Sequence, residues 1–361
     1  MSFSILQPGM ILFGRGQAAQ AAGIAAGFGR RVALVHGRNA DRAEWLRQDL
    51  LRAGMEVRAI SCGQEPTLAM LEAGVQTARG VDLVIALGGG AVIDLGKAVA
   101  ALVPAPGGAM DHLEVVGKAL PLSVPPLPFI ALPTTAGTGA EVTKNAVIDV
   151  PAHRRKVSLR DDRMIARVAI VDPALTDHAP RAVTLASGLD ALVQVVEPWL
   201  CTRANAYTDA LCLPAMGQGI AALRSLMSGE DPAARDAMAW VSLCGGLALA
   251  NSGLGAVHGL AGVIGGMTGA AHGAICGALL PHVLRANRAA PRMEAVRDAL
   301  GSVDALENWI HEAGLPRLSA LGLRSEDHEP VARAALSASS MKANPVPLTA
   351  GDLVAILRAA G

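Results

Sequence analysis

The sequence predicts an α/β half built on a parallel sheet, followed by an all-helical half. Three observations predict it. Strand-like and helix-like segments alternate, with short polar joints, through the first half. A run of branched apolar residues, Leu83 to Leu87, stops at Gly88-Gly89-Gly90 and restarts with helical spacing at Ala91. From Arg181 onward helical periodicity dominates, with Gly and Pro at the joints.

In chain order, Met10 to Phe13 reads as a short strand closed by Gly14-Arg15-Gly16, and Gln17 to Gly27 as a small-residue helix. Arg31 to His36 is a second strand, Arg42 to Ala53 an amphipathic helix, Glu56 to Ser61 a third strand and Leu68 to Arg79 another helix. Leu83 to Leu87 is a buried strand feeding the triple glycine. Pro104 to Pro128, rich in Pro and Gly, reads as a long loop; Phe129 to Leu132 and Val168 to Val171 are further strands. The boundary between halves is expected near residue 179, giving an α/β domain over 1–179 and a helical domain over 180–361. Parallel sheets bind ligands beyond the carboxyl ends of their strands, where Gly37 and Gly88 to Gly90 fall.

Composition excludes some functions. Lys plus Arg equals Asp plus Glu at 31 each, and aromatics are scarce, so neither phosphate neutralisation nor base stacking is provided for: nucleic acid is not an expected partner. The N-terminal Met1-Ser2-Phe3-Ser4 lacks the layout of a signal peptide. Cys62, Cys201, Cys212, Cys244 and Cys276 are odd in number and show no C-x-x-C pair, which fits free buried thiols in a reducing cytoplasm better than disulfides or a thiolate metal site. Ala237 to Leu284 contains no Asp, Glu, Lys or Arg, yet its glycines, Asn251, Ser252, His258 and His272 fit packed interior helices better than a membrane span.

Four segments carry chemistry. Gly88-Gly89-Gly90 ahead of a helix lets a bulky anion such as a diphosphate approach unpaired backbone N–H groups. Pro133-Thr134-Thr135-Ala136-Gly137-Thr138-Gly139, at another strand end, offers hydroxyls to a ribose or phosphate, although an ordinary Ser/Thr turn has the same composition. Asp190 and Gln194 lie four apart on one helical face among apolar residues, and a buried Asp needs a cation or strong donors. His258 and His272 sit in the uncharged, glycine-rich tract; together with Asp190 they suggest convergence on one ion.

Together these segments resemble the iron-containing alcohol dehydrogenase family, a variant with an altered metal-ligand set. The similarity spans nearly the whole chain. It rests on Gly88 to Asp94, Pro133 to Thr143, and Asp172-Pro173 ahead of Gly188-Leu189-Asp190-Ala191-Leu192. The resemblance implies an N-terminal Rossmann-like parallel-sheet domain joined to a C-terminal helical domain, the fold shared with dehydroquinate synthase, with the active site in the cleft. It implies that Gly88, Gly89, Gly90 and Ala91 wrap the diphosphate of NAD or NADP, and that Asp94, Thr134, Thr135, Thr138 and Lys156 line the rest of the cofactor. Lys156 also belongs to the basic run Arg154-Arg155-Lys156. A divalent metal, iron or zinc, would be held by Asp190, Gln194, His258 and His272, with Asp190, His258 and His272 serving catalysis.

The chain departs from the family's pattern in three places. Gln194 stands where the family usually has His, giving a neutral and poorer ligand that leaves metal retention open. Gly262 stands where a second His usually transfers protons. Gly37 replaces the acidic residue of NAD-preferring members, and Arg38 or Arg42 could meet a 2′-phosphate, which points to NADP over NAD. The expected activity is hydride transfer between NAD(P)(H) and a small alcohol, aldehyde or ketone, in a cytoplasmic homodimer or larger homo-oligomer. The alternatives are a maleylacetate-reductase-like enzyme using little or no metal, and a nucleotide-binding protein whose catalysis has decayed.

Overall fold

A six-stranded, all-parallel sheet organises the first half in the computed structural model, which describes residues 2–153 and 155–361. Its strands and helices follow in sequence as β1 (Met10–Phe13), α1 (Ala21–Ala26), β2 (Arg31–Gly37), α2 (Asp41–Arg52), β3 (Glu56–Cys62), α3 (Leu68–Thr77), β4 (Leu83–Gly88), α4 (Gly90–Leu102), the single turn α5 (Ala109–His112) and β5 (Phe129–Pro133). A hairpin, β6 (Asn145–Val150) and β7 (Arg155–Arg160), precedes the last sheet strand, β8 (Val168–Val171). The order across the sheet is β1-β8-β5-β4-β2-β3.

The unbroken apolar strands follow from helices covering both faces. Successive residues of β2 and β4 belong to different cores. Ala33, Val35, Val84 and Ala86 pack on one side; Val32, Leu34, Leu83, Ile85 and Leu87 pack on the other. The sequence pattern does not announce β6 and β7. They form an antiparallel pair, separate from the main sheet, whose inward residues Ala146, Ile148, Val150, Val157 and Leu159 complete one core. The stretch Pro104 to Pro128 is a loop, as expected, apart from α5.

The helical half contains α6 (Arg181–Leu200), α7 (Ala206–Ser228), α8 (Pro232–Asn251), α9 (Ala256–Thr268), α10 (His272–Ala286), α11 (Met293–Leu300), α12 (Val303–Glu312), α13 (His328–Leu336) and α14 (Ala350–Ala360). Glycine explains how closely its helices approach. A Cβ on Gly273 would lie 2.3 Å from the Ala186 carbonyl oxygen of α6, and one on Gly277 would lie 2.6 Å from Leu189. The uncharged tract thus becomes the interior helices α8, α9 and α10, with α8 and α9 bent 97° apart. By length and composition, α7 is the one single helix among the described residues apolar enough to span a membrane; the bent pair would also pass if counted as one broken span.

The chain divides into two units. One comprises Leu6–Thr135 and Ala140–Thr176; the other holds Ala136–Gly139 and Asp177–Gly361 with the residues up to Ile5. The short excursion Ala136–Gly139 belongs with the helices, a detail that a single boundary near residue 179 does not capture.

Candidate active site

Within the helical unit, α6, α9 and α10 bring Asp190, His258 and His272 together. Asp190 Oδ1 lies 3.5 Å from His258 Nε2 and 3.9 Å from His272 Nε2, and the two imidazole centroids are 5.4 Å apart. Gly273 makes this possible, because a side chain there would strike α6 beside Asp190 and hold His272 away. Asp190 is almost wholly buried, yet its Oδ1 makes no hydrogen bond. An orphaned buried carboxylate oxygen is costly in a finished core. Facing two imidazole nitrogens, it has the arrangement that a divalent cation completes. Donors bonded to one ion at about 2.0–2.3 Å stand about 3.3–3.7 Å apart in a tetrahedron, close to the separations found here. The residues therefore fit a metal.

Glu197, two turns beyond Asp190, orients the first histidine. Its Oε2 lies 2.7 Å from His258 Nδ1, and its Oε1 accepts the Val257 backbone N–H at 2.7 Å. The carboxylate thus sits on the N-terminus of α9, where the helix dipole favours it. Gly255 leaves room: a Cβ there would be 2.8 Å from Glu197 Oε1. With Nδ1–H held by Glu197, the His258 tautomer presents Nε2 to Asp190. Burial works against charge on His258, but the carboxylates of Asp190 and Glu197 prevail and push its pKa up to about 9. Burial likewise opposes the Asp190 charge, and His272 and His258 still hold that carboxyl below its ordinary range.

Gln194, expected to be a poor ligand, has a second use. Its Nε2 donates to the Gly137 carbonyl at 2.6 Å, so only the neutral amide oxygen is left for an ion. The Pro133 to Gly139 segment is likewise more than a hydroxyl turn. A Cβ on Gly137 would meet Ser187 at 2.8 Å. One on Gly139, whose φ is +57°, would lie 2.5 Å from Gly246 Cα of α8. Its glycines serve packing on helices. Thr138 lies on this strip, whereas Thr134 and Thr135 lie in the sheet unit, where Thr134 N–H donates to the Gly88 carbonyl at 2.9 Å.

Two contributors escape a reading of the sequence. All five cysteines are free and buried, as expected, but Cys276 joins Asp190, His258 and His272, with one potential ligand atom from each lying within 4.8 Å of the others. Cys276 Sγ is 3.5 Å from His272 Nε2. Burial, reinforced by Asp190 and Glu197, raises the thiol well above its ordinary pKa. The spacing of Cys276 four residues after His272, and of Glu197 seven after Asp190, places each on its partner's helical face and was the available signal.

In the sheet unit, His36 pairs with Leu87, so Gly37 and Gly88 end neighbouring strands. From β2 the chain proceeds outward to β3, and from β4 it proceeds the other way to β5, so this pair marks the topological switch where such sheets bind ligands. Gly89 is the N-cap of α4 and offers no side-chain cap, leaving N–H groups of Gly90 and Ala91 at the turn. A Cβ on Gly89 would touch Thr135 at 3.3 Å, and one on Gly96 would strike Ala86 at 2.8 Å, so α4 lies hard against the sheet. Gly37 faces open space, and the exposed Arg38 beside it donates to the Gly63 carbonyl at 3.0 Å. Asp94 is occupied structurally: it accepts the Val147 N–H at 3.0 Å and lies 3.9 Å from Lys97. Lys156 pairs at 3.7 Å with Glu65; Arg154, in the same basic run, lies outside the described residues.

Comparison with known proteins agrees with this geometry. The iron-containing alcohol dehydrogenase family model matches residues 8–173, and its C-terminal counterpart matches residues 184–361. Long-chain-alcohol dehydrogenase 1 of Geobacillus thermodenitrificans is 36% identical over 317 residues, covering 82% of this chain and 80% of that protein. The NAD-dependent methanol dehydrogenase of Bacillus methanolicus is 31% identical, covering 88% and 87%. A solved 1,3-propanediol oxidoreductase superposes with a TM-score of 0.92 at 27% identity, covering 100% of both chains. The chain belongs to the iron-containing alcohol dehydrogenase family, and it is an alcohol or aldehyde oxidoreductase.

Proposed function

We propose that this protein transfers hydride between NADP(H) and a small alcohol, aldehyde or ketone, with a divalent metal at Asp190, His258 and His272. The carrying observation is the orphaned Asp190 Oδ1 facing two imidazoles. When bound, the metal supplies Lewis-acid polarisation of the substrate oxygen. Gly88, Gly89, Gly90 and Ala91 would hold the diphosphate of a nicotinamide cofactor, which would supply the hydride chemistry. Glu197 keeps His258 in the ligating tautomer. Gly262 has no group to move a proton, so that role falls to water or a cofactor hydroxyl. The preference for NADP is supported by the open space at Gly37 and by the cation of Arg38 next to it.

The test combines NADPH- and NADH-linked assays on an alcohol and aldehyde panel with Asp190→Ala, His272→Ala and chelation. Each replacement is expected to lower turnover by roughly two orders of magnitude or more, and chelation to do so reversibly. Undiminished turnover after chelation and in both variants would overturn the metal-dependent reading.

A further inference from the structure

We propose that Cys276 is a thiolate ligand of the metal, and that the site consequently selects zinc over iron(II). This rests on the reading that Asp190, His258 and His272 hold a divalent ion, and adds to it a donor that alters the identity of that ion.

Three independent features support it. Cys276 lies on α10 one turn after His272, with Sγ 3.5 Å from His272 Nε2 and within 4.8 Å of the ligand atoms of Asp190 and His258. The buried Asp190 Oδ1, which accepts no hydrogen bond, faces the same point. Gln194, the other candidate for a fourth donor, has its amide nitrogen committed to the Gly137 carbonyl and retains only a neutral oxygen. A fully buried cysteine in an apolar core is ordinarily inert packing. This one borders a carboxylate and an imidazole rather than hydrocarbon alone.

The chemistry follows from charge and softness. Binding forms a metal–sulfur bond and releases the thiol proton to solvent; no oxidant or reductant takes part. The thiolate then gives the ion a second anionic donor in direct contact beside Asp190, whereas the Glu197 carboxylate acts on it only through His258. A set of one carboxylate, two imidazoles and one thiolate is softer than an all-oxygen or oxygen–imidazole set, and thiolate favours zinc.

The test uses the full chain stripped of metal and reloaded with cobalt(II) as an optical probe. The expected result is a near-ultraviolet sulfur-to-cobalt charge-transfer band in the wild type, absent in Cys276→Ala. In competition titrations, Cys276→Ala should lose on the order of tenfold or more in zinc affinity, with a smaller loss for iron(II). Zinc binding by the wild type should release one proton more than binding by Cys276→Ala, measured calorimetrically in buffers of different ionisation enthalpy. The wild-type spectrum answers the question even if the variant folds poorly. Cobalt bound without the thiolate band would overturn the role of Cys276 while leaving the Asp190 and histidine site standing. Failure of the wild type to bind cobalt or zinc would overturn both.

Discussion

At the scale of single residues, the missing side chain of Gly37 is as informative as any group present. An acidic side chain at the end of β2 would bond a ribose 2′-hydroxyl and repel a 2′-phosphate. Because a Cβ at Gly37 meets no atom within 4 Å, Gly37→Asp is sterically free to test this. The variant is expected to lose roughly tenfold or more in kcat/KM with NADPH, about 1.4 kcal/mol, without a matching loss with NADH. Equal losses with both cofactors would remove the argument for NADP. The candidate metal residues stood out for a physical reason: His258 and His272, in an uncharged tract, and Asp190, among the apolar residues of α6, are polar groups that must find partners. Cys276 did not, because cysteines invite a search for pairs of their own kind. Glu197 sits among Val195, Val196 and Pro198, and its spacing of seven from Asp190 was the one sign that separated a buried carboxylate from a solvated one.

Elements place these groups, and two glycines show opposite constraints on helix packing. Gly262 lies on the exposed side of α9, and a methyl group added there would meet nothing within 4 Å, so Gly262→Ala should stabilise by about 0.5–1 kcal/mol through lower chain entropy. Gly139 holds φ at +57° and its Cβ would lie 2.5 Å from Gly246 Cα; Gly139→Ala should destabilise by about 2 kcal/mol or more. Denaturant unfolding of the two variants checks both signs, and the same sign for both would refute the packing account. Strands with a helix after them were readable because their apolar runs are continuous. The β6–β7 hairpin was not, because Val147 occupies an outward position and blurs the alternation that Ala146, Ile148 and Val150 would otherwise display.

For the molecule as a whole, the sheet unit carries a buried charged group of its own. Lys97 is fully buried, donating to the carbonyls of Ala140 and Asn145 and to Thr143, and burial lowers it to about 8 despite Asp94 and Glu141. Burial raises Glu141 from 4.5 to about 7. Between these values the folded protein holds more protons at Glu141 than the unfolded chain, so its contribution to stability falls as pH rises through that window. Relative to the wild type, Glu141→Gln should therefore gain stability by up to a few kcal/mol as pH climbs from about 4.5 to about 7. Parallel stability profiles for the two proteins would show that Glu141 does not titrate there. The fold class was legible at this scale, but the strip Ala136–Gly139 was not, since membership of a unit depends on what a segment touches. That strip limits modularity. Severing the chain at Thr176 would leave the helical piece without four residues that seat on α6 and α8, while the other piece would carry them with their proper seat gone. Neither fragment would be self-sufficient, so swapping halves between relatives requires exchanging an inner tetrapeptide along with the obvious tail.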